Sequence, residues 1–489
     1  MLGIVVGCLV ICICGLLYWR GRLMELKAHP LPPAYPRRLP IIGHTHILLS
    51  NKKNLWLIFK EICEQLLQQQ NGLIYAKLGF DIYYFVSDPE DALVVANTCL
   101  EKHFLYRFAK YWMGDGLITG SGDHWHRHRQ MLKQFFSLPV INSYIEVFNS
   151  QSRKLLSDFE CSAEKGKFYP TKYTKYYSLG SSYATTFGKT ANDKKSVLQY
   201  MEAVDEMLSL VMERFQTFWL QIDFIYSLLG YKKKESELEK FKAEISDEII
   251  QTKKSFFNES KSTFSYIPFE PLSHLILEQH TKNAFTDQEI ADELHTAMVA
   301  AYETTSKSLE TILVMIGSFP KVQERMYEEI IEVLGPDRDV GKEDLRKLVY
   351  TEAVIKESLR VFPTVPSVVR YIDKDVKLKN YTLRAGSQCI IALHALHRHS
   401  SWGPDAGQFR PERWLDPATL PPYVATDAAF SFGKRSCIGK TYAMTSMKIL
   451  IAHIVRKFVI TADYTKVQHE VDITLTSLSG HDICLELRR

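Results

Sequence analysis

The sequence predicts an α+β fold that is predominantly α-helical, with small β-sheets and an N-terminal membrane anchor helix. Three observations carry this. The middle third, from about Tyr144 to Pro271, keeps helical periodicity; Leu73 to Val86 reads as two short strands around Gly79-Phe80-Asp81; and Met1 to Trp19 contains no charged side chain. The 489 residues are 46% hydrophobic and 24% charged, which is ordinary globular composition for a sizeable core. No Gly/Ser-rich or Pro-rich linker follows Pro40 and no internal repeat occurs. The reading is therefore an anchor over 1–21, a basic proline-rich hinge over 22–43, and one large domain over 44–489.

Charge and cysteines narrow the function classes. The formal net charge is only +4, with Lys and Arg scattered among Asp and Glu, so nucleic-acid binding has little support. The nine cysteines, at 8, 12, 14, 63, 99, 161, 389, 437 and 484, lack the paired close spacing of structural zinc or a disulfide scaffold, which suits a reducing compartment.

Taken in order, the head segment has no charge before its apolar run and no small-residue cleavage site. It is followed by Arg20, Arg22 and Lys27, the pattern of a retained signal anchor with the body at the cytosolic face of an internal membrane. Pro32, Pro33, Pro36 and Pro40 stiffen the basic stretch Arg22 to Arg38 into a spacer. Beyond the two strands, Pro89 and Glu90 open a helix. From Phe104 through Tyr106, Phe108, Tyr111 and Trp112 to Gly120, neither period holds, and a long aromatic loop able to roof a pocket is expected.

In His124-Trp125-His126-Arg127-His128-Arg129, Trp125 and Arg129 stand four apart on one helix face, placed to give an indole N–H and a guanidinium to one anionic group. The interleaved histidines are expected to point in different directions and not to bind zinc. Charge runs such as Lys232 to Lys254 are read as solvated helix faces. The aromatics between Met207 and Leu229 either cover a cavity or meet lipid.

The helix over Asp292 to Met315 carries Ala300-Ala301-Tyr302-Glu303-Thr304-Thr305. An acid beside hydroxyls in an apolar helix is costly unless it works, and Glu303 with Thr304 fits a polar relay for protons. Glu357 and Arg360, three apart, together with Arg413 in Phe409-Arg410-Pro411-Glu412-Arg413-Trp414, are expected to close a buried structural network.

Phe430-Ser431-Phe432-Gly433-Lys434-Arg435-Ser436-Cys437-Ile438-Gly439 is the most informative run. A cysteine thiolate flanked by two glycines, an arginine and aromatics forms a nest for an iron porphyrin. The thiolate electronically favours O–O cleavage and needs backbone N–H donors to stay anionic. Gly433 and Gly439 admit close backbone approach, Arg435 holds a propionate, and Phe430 or Phe432 shields the sulfur. The expectation is an oxygen-activating haem enzyme.

With these residues in this order, the chain resembles a microsomal cytochrome P450, most like the insect members related to family 4, over nearly its whole length. The resemblance implies a P450 haem-thiolate catalytic domain over 44–489 and a location in the endoplasmic reticulum (microsome) membrane. It also implies haem b with Cys437 as proximal iron ligand and Trp125, Arg129, Arg370 and Arg435 on the propionates. Thr304 with Glu303 serves oxygen activation, and Ala301 stands beside the oxygen site. Implied partners are NADPH-cytochrome P450 reductase, meeting a basic surface with Lys434, Lys440 and Lys448, and cytochrome b5 as a second donor.

The implied substrate is an apolar lipid, hormone or xenobiotic such as an insecticide. It would be lined by Tyr111 to Ile118, Met298, Ala301, Val365 to Val368, Leu478 and Ser479. Two departures matter: the family usually has glycine at the position of Ala301, and many family-4 members have at the position of Ala300 a glutamate that esterifies the haem. Alanine cannot form that ester, so noncovalent haem is implied. The alternatives are a donor-independent haem-thiolate isomerase or dehydratase, a non-enzymatic haem-binding sensor, and a purely structural membrane protein.

Overall fold

Pro33 to Tyr35, within the proline-rich hinge, joins the edge of a sheet. In the computed structural model the Tyr35 N–H donates to Tyr75 O at 2.8 Å, and the Tyr75 N–H donates to Pro33 O at 3.0 Å. This part of the expected stiff spacer is therefore docked on the body. The structure describes residues 30–40, 42–50, 55–188, 194–259, 270–280, 285–421, 423–426 and 428–488, with residues 12, 15 and 16.

Helix α1 (Leu55–Gln68) precedes strands β1 (Leu73–Leu78) and β2 (Asp81–Val86), the predicted hairpin, whose turn places Gly79 at φ 59°. Helix α2 (Pro89–Thr98) starts where Pro89 predicted it, with the Asp88 carboxylate accepting from the N–H groups of Glu90 and Asp91. The expected aromatic loop contains short helical turns over Phe104–Ala109 and Lys110–Met113 before α3 (Gly122–Leu132). Those turns are too short for periodicity to reveal.

The helical middle follows as predicted: α4 (Ile145–Glu160), α5 (Thr171–Phe187), α6 (Lys194–Gln216), α7 (Tyr231–Glu259) and α8 (Leu272–His280). Helix α9 (Asp287–Ser318) runs 32 residues from a capping box in which Thr286 and Glu289 satisfy each other's backbone groups. Helices α10 (Pro320–Leu334) and α11 (Val349–Val361) lead to β3 (Val368–Tyr371) and β4 (Gln388–Ile391). These complete a sheet of order β1-β2-β4-β3, in which β2 and β4 pair in parallel and the other pairs are antiparallel. Helix α12 (Lys440–Lys457) is followed by β5 (Phe458–Thr461), β6 (Gln468–Val471), β7 (Leu475–Ser479) and β8 (Cys484–Leu487), with β6 paired to β7 and β5 to β8.

The largest core lies where α4, α5, α9, α10, α11 and α12 meet, around Phe148, Phe159, Leu313, Val354 and Leu450. It holds α9 against α5 on one side and α11 on the other, so one stretch of α9 is fixed relative to the loop before α12.

The predominantly helical architecture with small sheets is as predicted; the membrane anchor helix is not. No helix among the described residues is long and apolar enough to cross a membrane. This overturns the predicted anchor helix and, with it, placement in the endoplasmic reticulum membrane. Apart from residues 12, 15 and 16, the segment on which that prediction rested lies outside the described residues. Length alone does not make a span: α9 carries Asp292, Glu293, Glu303, Lys307 and Glu310 along its course.

Candidate active site

The loop before α12 is shaped by its own backbone. Cys437 N–H donates to Phe430 O at 2.8 Å, and Ser436 N–H donates to Gly433 O at 3.1 Å. Gly433 sits at φ +73°, and a Cβ there would lie 2.9 Å from Ala96 Cβ and Asn97 Oδ1. The glycine is thus required by the end of α2. At Gly439 an added Cβ would meet only Cys437 Sγ, at 3.9 Å, on the cavity side. Gly439 also caps the N-terminus of α12, directing that helix end towards the sulfur.

Cys437 opens into a cavity of about 360 Å³ and is otherwise enclosed, so its exposure is to this cavity. Burial pushes its thiol pKa up; the Gly439 N–H, Arg129 and Lys440 pull it down. Leu117, Ile118, Ala297, Val365 and Val368 give the walls apolar character, and Ala300, Ala301, Thr304 and Thr305 bring one face of α9 to the same space. Phe430 lines the cavity, whereas Phe432 is a buried core residue against α2 and the sheet.

Among the described residues, Lys102, Arg129 and Arg435 line the cavity without an ion pair to a carboxylate, and the buried Arg370 stands near Lys102 and Arg435 but, contrary to expectation, does not line the cavity. Arg435 stacks on Trp125, its guanidinium carbon 4.0 Å from the ring centroid, and donates to Gly120 O at 2.9 Å. Among the described residues, its Nε and Nη1, and Nε of the buried Arg370, have no hydrogen-bond partner. Burial pushes the Arg435 pKa down to about 9 and lowers those of Arg370 and Arg129. Lys102 is held well below its ordinary value by burial and by Arg370 and Arg435. Buried cations lacking counter-charges are costly, and a dianionic ligand removes the cost. A porphyrin with two propionates beside a cysteine and a gap at Gly439 fits all of these features. Lys102 was missed in the sequence because an isolated lysine before the aromatic loop carries no motif.

On α9 the expected pair separates. Thr304 Oγ1 donates back to Ala300 O at 2.6 Å, and the Glu303 carboxylate accepts instead from Thr474 Oγ1 at 2.9 Å. The helix register puts Ala297, not Met298, in the wall, and Met298 is wholly buried in the core. Tyr111, Leu478 and Ser479 do not line the cavity, and Leu478 is exposed. Phe215, Phe218, Trp219 and Phe224 are exposed and also lie away from it.

The structural network closes as predicted. Arg360 donates to both Glu357 oxygens at 2.8 Å, and Arg413 Nε donates to Glu357 Oε1 at 3.0 Å. Trp414 Nε1 adds a bond at 2.9 Å. Burial pushes the Glu357 carboxyl pKa up, but the two arginines and the Arg410 N–H bring it below the ordinary value.

A cysteine at the base of a cavity, cationic groups at its edge and a long helix across it define a haem-thiolate protein. The chain matches the cytochrome P450 family model over residues 33–480 and belongs to that family. It is 28% identical to cytochrome P450 4c21 of Blattella germanica over 437 residues, covering 86% of each chain. It is 28% identical to cytochrome P450 4d2 of Drosophila melanogaster over 100% of both, and 26% identical to cytochrome P450 4V2 of Mus musculus over 94% of this chain and 89% of that one. As a P450 it is a haem-thiolate monooxygenase, with a reductase as partner.

Proposed function

We propose that the chain inserts one atom of dioxygen into an apolar small molecule, a lipid, hormone or foreign compound such as an insecticide, with electrons from NADPH delivered through a reductase. The observation that carries this is the opening of Cys437 into a largely apolar cavity that also receives Ala300, Ala301 and Thr304. When bound, the haem supplies the electron transfer and dioxygen chemistry.

The residues would divide the work. Cys437 would offer its sulfur to the iron, supported by the Gly439 N–H and the α12 N-terminus. Arg435, Arg370, Arg129 and Trp125, joined by Lys102, would hold the propionates, and Phe430 would keep water from the sulfur. Gly433 would set the loop's approach. Thr304 would release its Ala300 bond and hold a proton at Oγ1, while Glu303 would pass protons inward from the Thr474 side. Ala301 adds a methyl to the wall and trims the space open to substrate.

Ala300 leaves the haem noncovalently held. The groove on the other side of the cysteine loop, lined by Lys342, Arg346 and Lys440, would receive the reductase, and cytochrome b5 would meet the same face. Lys356 and Lys448 also line it, and each is paired with Glu352 at 2.7 Å.

Reconstitution with reductase tests the reading. Oxygenated product that requires NADPH, reductase and dioxygen supports it. Turnover of a peroxide with no electron donor would instead identify an isomerase or dehydratase.

A further inference from the structure

His124 and His128, expected to point apart, lie together on one face of α3, with ring centroids 4.0 Å from each other and the rings tilted by 38°. With Glu289 from the first turn of α9, they place one donor atom each within 4.8 Å of one another. We propose that these three residues form a divalent-cation site of zinc type that ties α3 to α9.

The hydrogen-bond pattern carries the assignment. His124 Nε2 faces the carbonyl of Asp115 at 3.1 Å, and a carbonyl only accepts, so Nε2 carries a proton and in the neutral ring Nδ1 carries the lone pair. That Nδ1 lies 3.8 Å from Glu289 Oε1. His128 Nδ1 lies 2.7 Å from Glu293 Oε1, and its Nε2 lies 3.1 Å from both Glu289 Oε1 and the Arg127 guanidinium; in the neutral ring protonated at Nδ1, Nδ1 donates to Glu293 and the Nε2 lone pair accepts from Arg127. With both rings neutral in these tautomers, two imidazole lone pairs and a carboxylate oxygen face one point, which a cation at the centre would stabilise.

In this structure the guanidinium of Arg127 serves that need, bonding to Glu289 and lying 3.1 Å from His128 Nε2. Its side chain is about half exposed and can swing outward. Two imidazoles and one carboxylate are the ligand set of an open zinc site, with water as fourth ligand through the partly exposed His124. Glu293 and the Asp115 carbonyl supply the second layer of acceptors that such ligating histidines use. Glu289 Oε2 is already engaged by the Thr286 N–H and hydroxyl, leaving Oε1 for the metal.

The site is linked to the pocket. Glu293 Oε2 accepts from the Leu117 N–H at 3.2 Å, and Leu117 lines the cavity, so the metal would hold the roof loop against α9.

The test is zinc binding to the haem-loaded full chain, by equilibrium dialysis and by the shift in unfolding temperature. One equivalent should bind. His124→Ala and Glu289→Gln should each weaken it at least ~10-fold, and His126→Ala, whose ring bonds to Gln130, should leave it unchanged. Arg127→Gln should tighten it by removing the competing guanidinium. Binding that survives His124→Ala, or Arg127→Gln that leaves affinity unchanged, would overturn the site. Such a result would mark the cluster as an ion pair in which His128 bridges the two glutamates. His124 is partly exposed, so its substitution tests the site without disturbing the core; the Soret band serves as the folding control.

Discussion

Thr474 donates its hydroxyl to Glu303 at 2.9 Å, while Thr304, next to Glu303 in sequence, turns its own hydroxyl back to Ala300. The acid is therefore positioned from the segment before β7, and not by its helical neighbour. Thr474 is buried, so removing its hydroxyl leaves Glu303 without this bond. Thr474→Val should lower product formed per NADPH by about 2- to 10-fold and divert electrons to peroxide, with Thr304→Ala showing a larger loss. Paired product and peroxide assays check this. Unchanged coupling in Thr474→Val would remove Thr474 from the proton route.

Glu357 is wholly buried, and its oxygens accept from Arg360, Arg413, Trp414 and the Arg410 N–H. Glu357→Gln leaves the buried Arg360 guanidinium without its carboxylate partner and Arg413 with Asp405 alone, at 3.3 Å. The expected cost is about 3–5 kcal/mol, because breaking one side of a buried pair strands the other. Loss of haem on gel filtration and a lowered unfolding temperature are the readouts.

His295 is buried, accepts or donates to Tyr200 and Ser246 at 2.9 Å each, and has its pKa pushed down to about 3 by burial and by Lys242. Its folded value lies below the unfolded value of about 6.5, so the unfolded chain binds the extra proton between the two. The stability from a neutral His295 is present above about pH 6.5 and is lost as pH falls towards 3, by about 1.4 kcal/mol per pH unit. His295→Gln should flatten the fall in unfolding temperature between pH 6.5 and 4.5 relative to the parent. An identical slope would exclude this residue as a source of acid sensitivity.

Ala300 lines the cavity and has no carboxylate. Acidic solvent extraction should release all haem from the polypeptide, and Ala300→Glu should leave a fraction attached. Haem retained on the unaltered chain after denaturing chromatography would contradict the noncovalent reading.

The parts of the site visible in the sequence were those confined to one short segment. The ten residues ending at Gly439 fold back on themselves through the Cys437–Phe430 bond, and Trp125 and Arg129 share a face by helical spacing alone. The Glu357 network was also legible, since both segments have distinctive composition. Partners brought in by tertiary packing were not. Lys102 joins Arg370 and Arg435 only through the sheet and the roof loop, and Thr474 reaches Glu303 across 171 residues. A register step of one residue on α9 exchanged Met298 for Ala297 in the wall. The same four-residue spacing that pairs Trp125 with Arg129 also pairs His124 with His128, so the alternation of the three histidines in sequence does not separate these two in space. The anchor was inferred from the composition of a segment almost wholly outside the described residues, and the described helices contain no membrane span.

The most direct measurement of the central claim is the difference spectrum of the reduced, carbon-monoxide-bound, haem-loaded chain beside a Cys437→Ala control. The account predicts a strongly red-shifted Soret band that depends on Cys437. A haem band unaffected by the substitution, or no haem band in a folded chain, would contradict the assignment of Cys437 as the iron ligand.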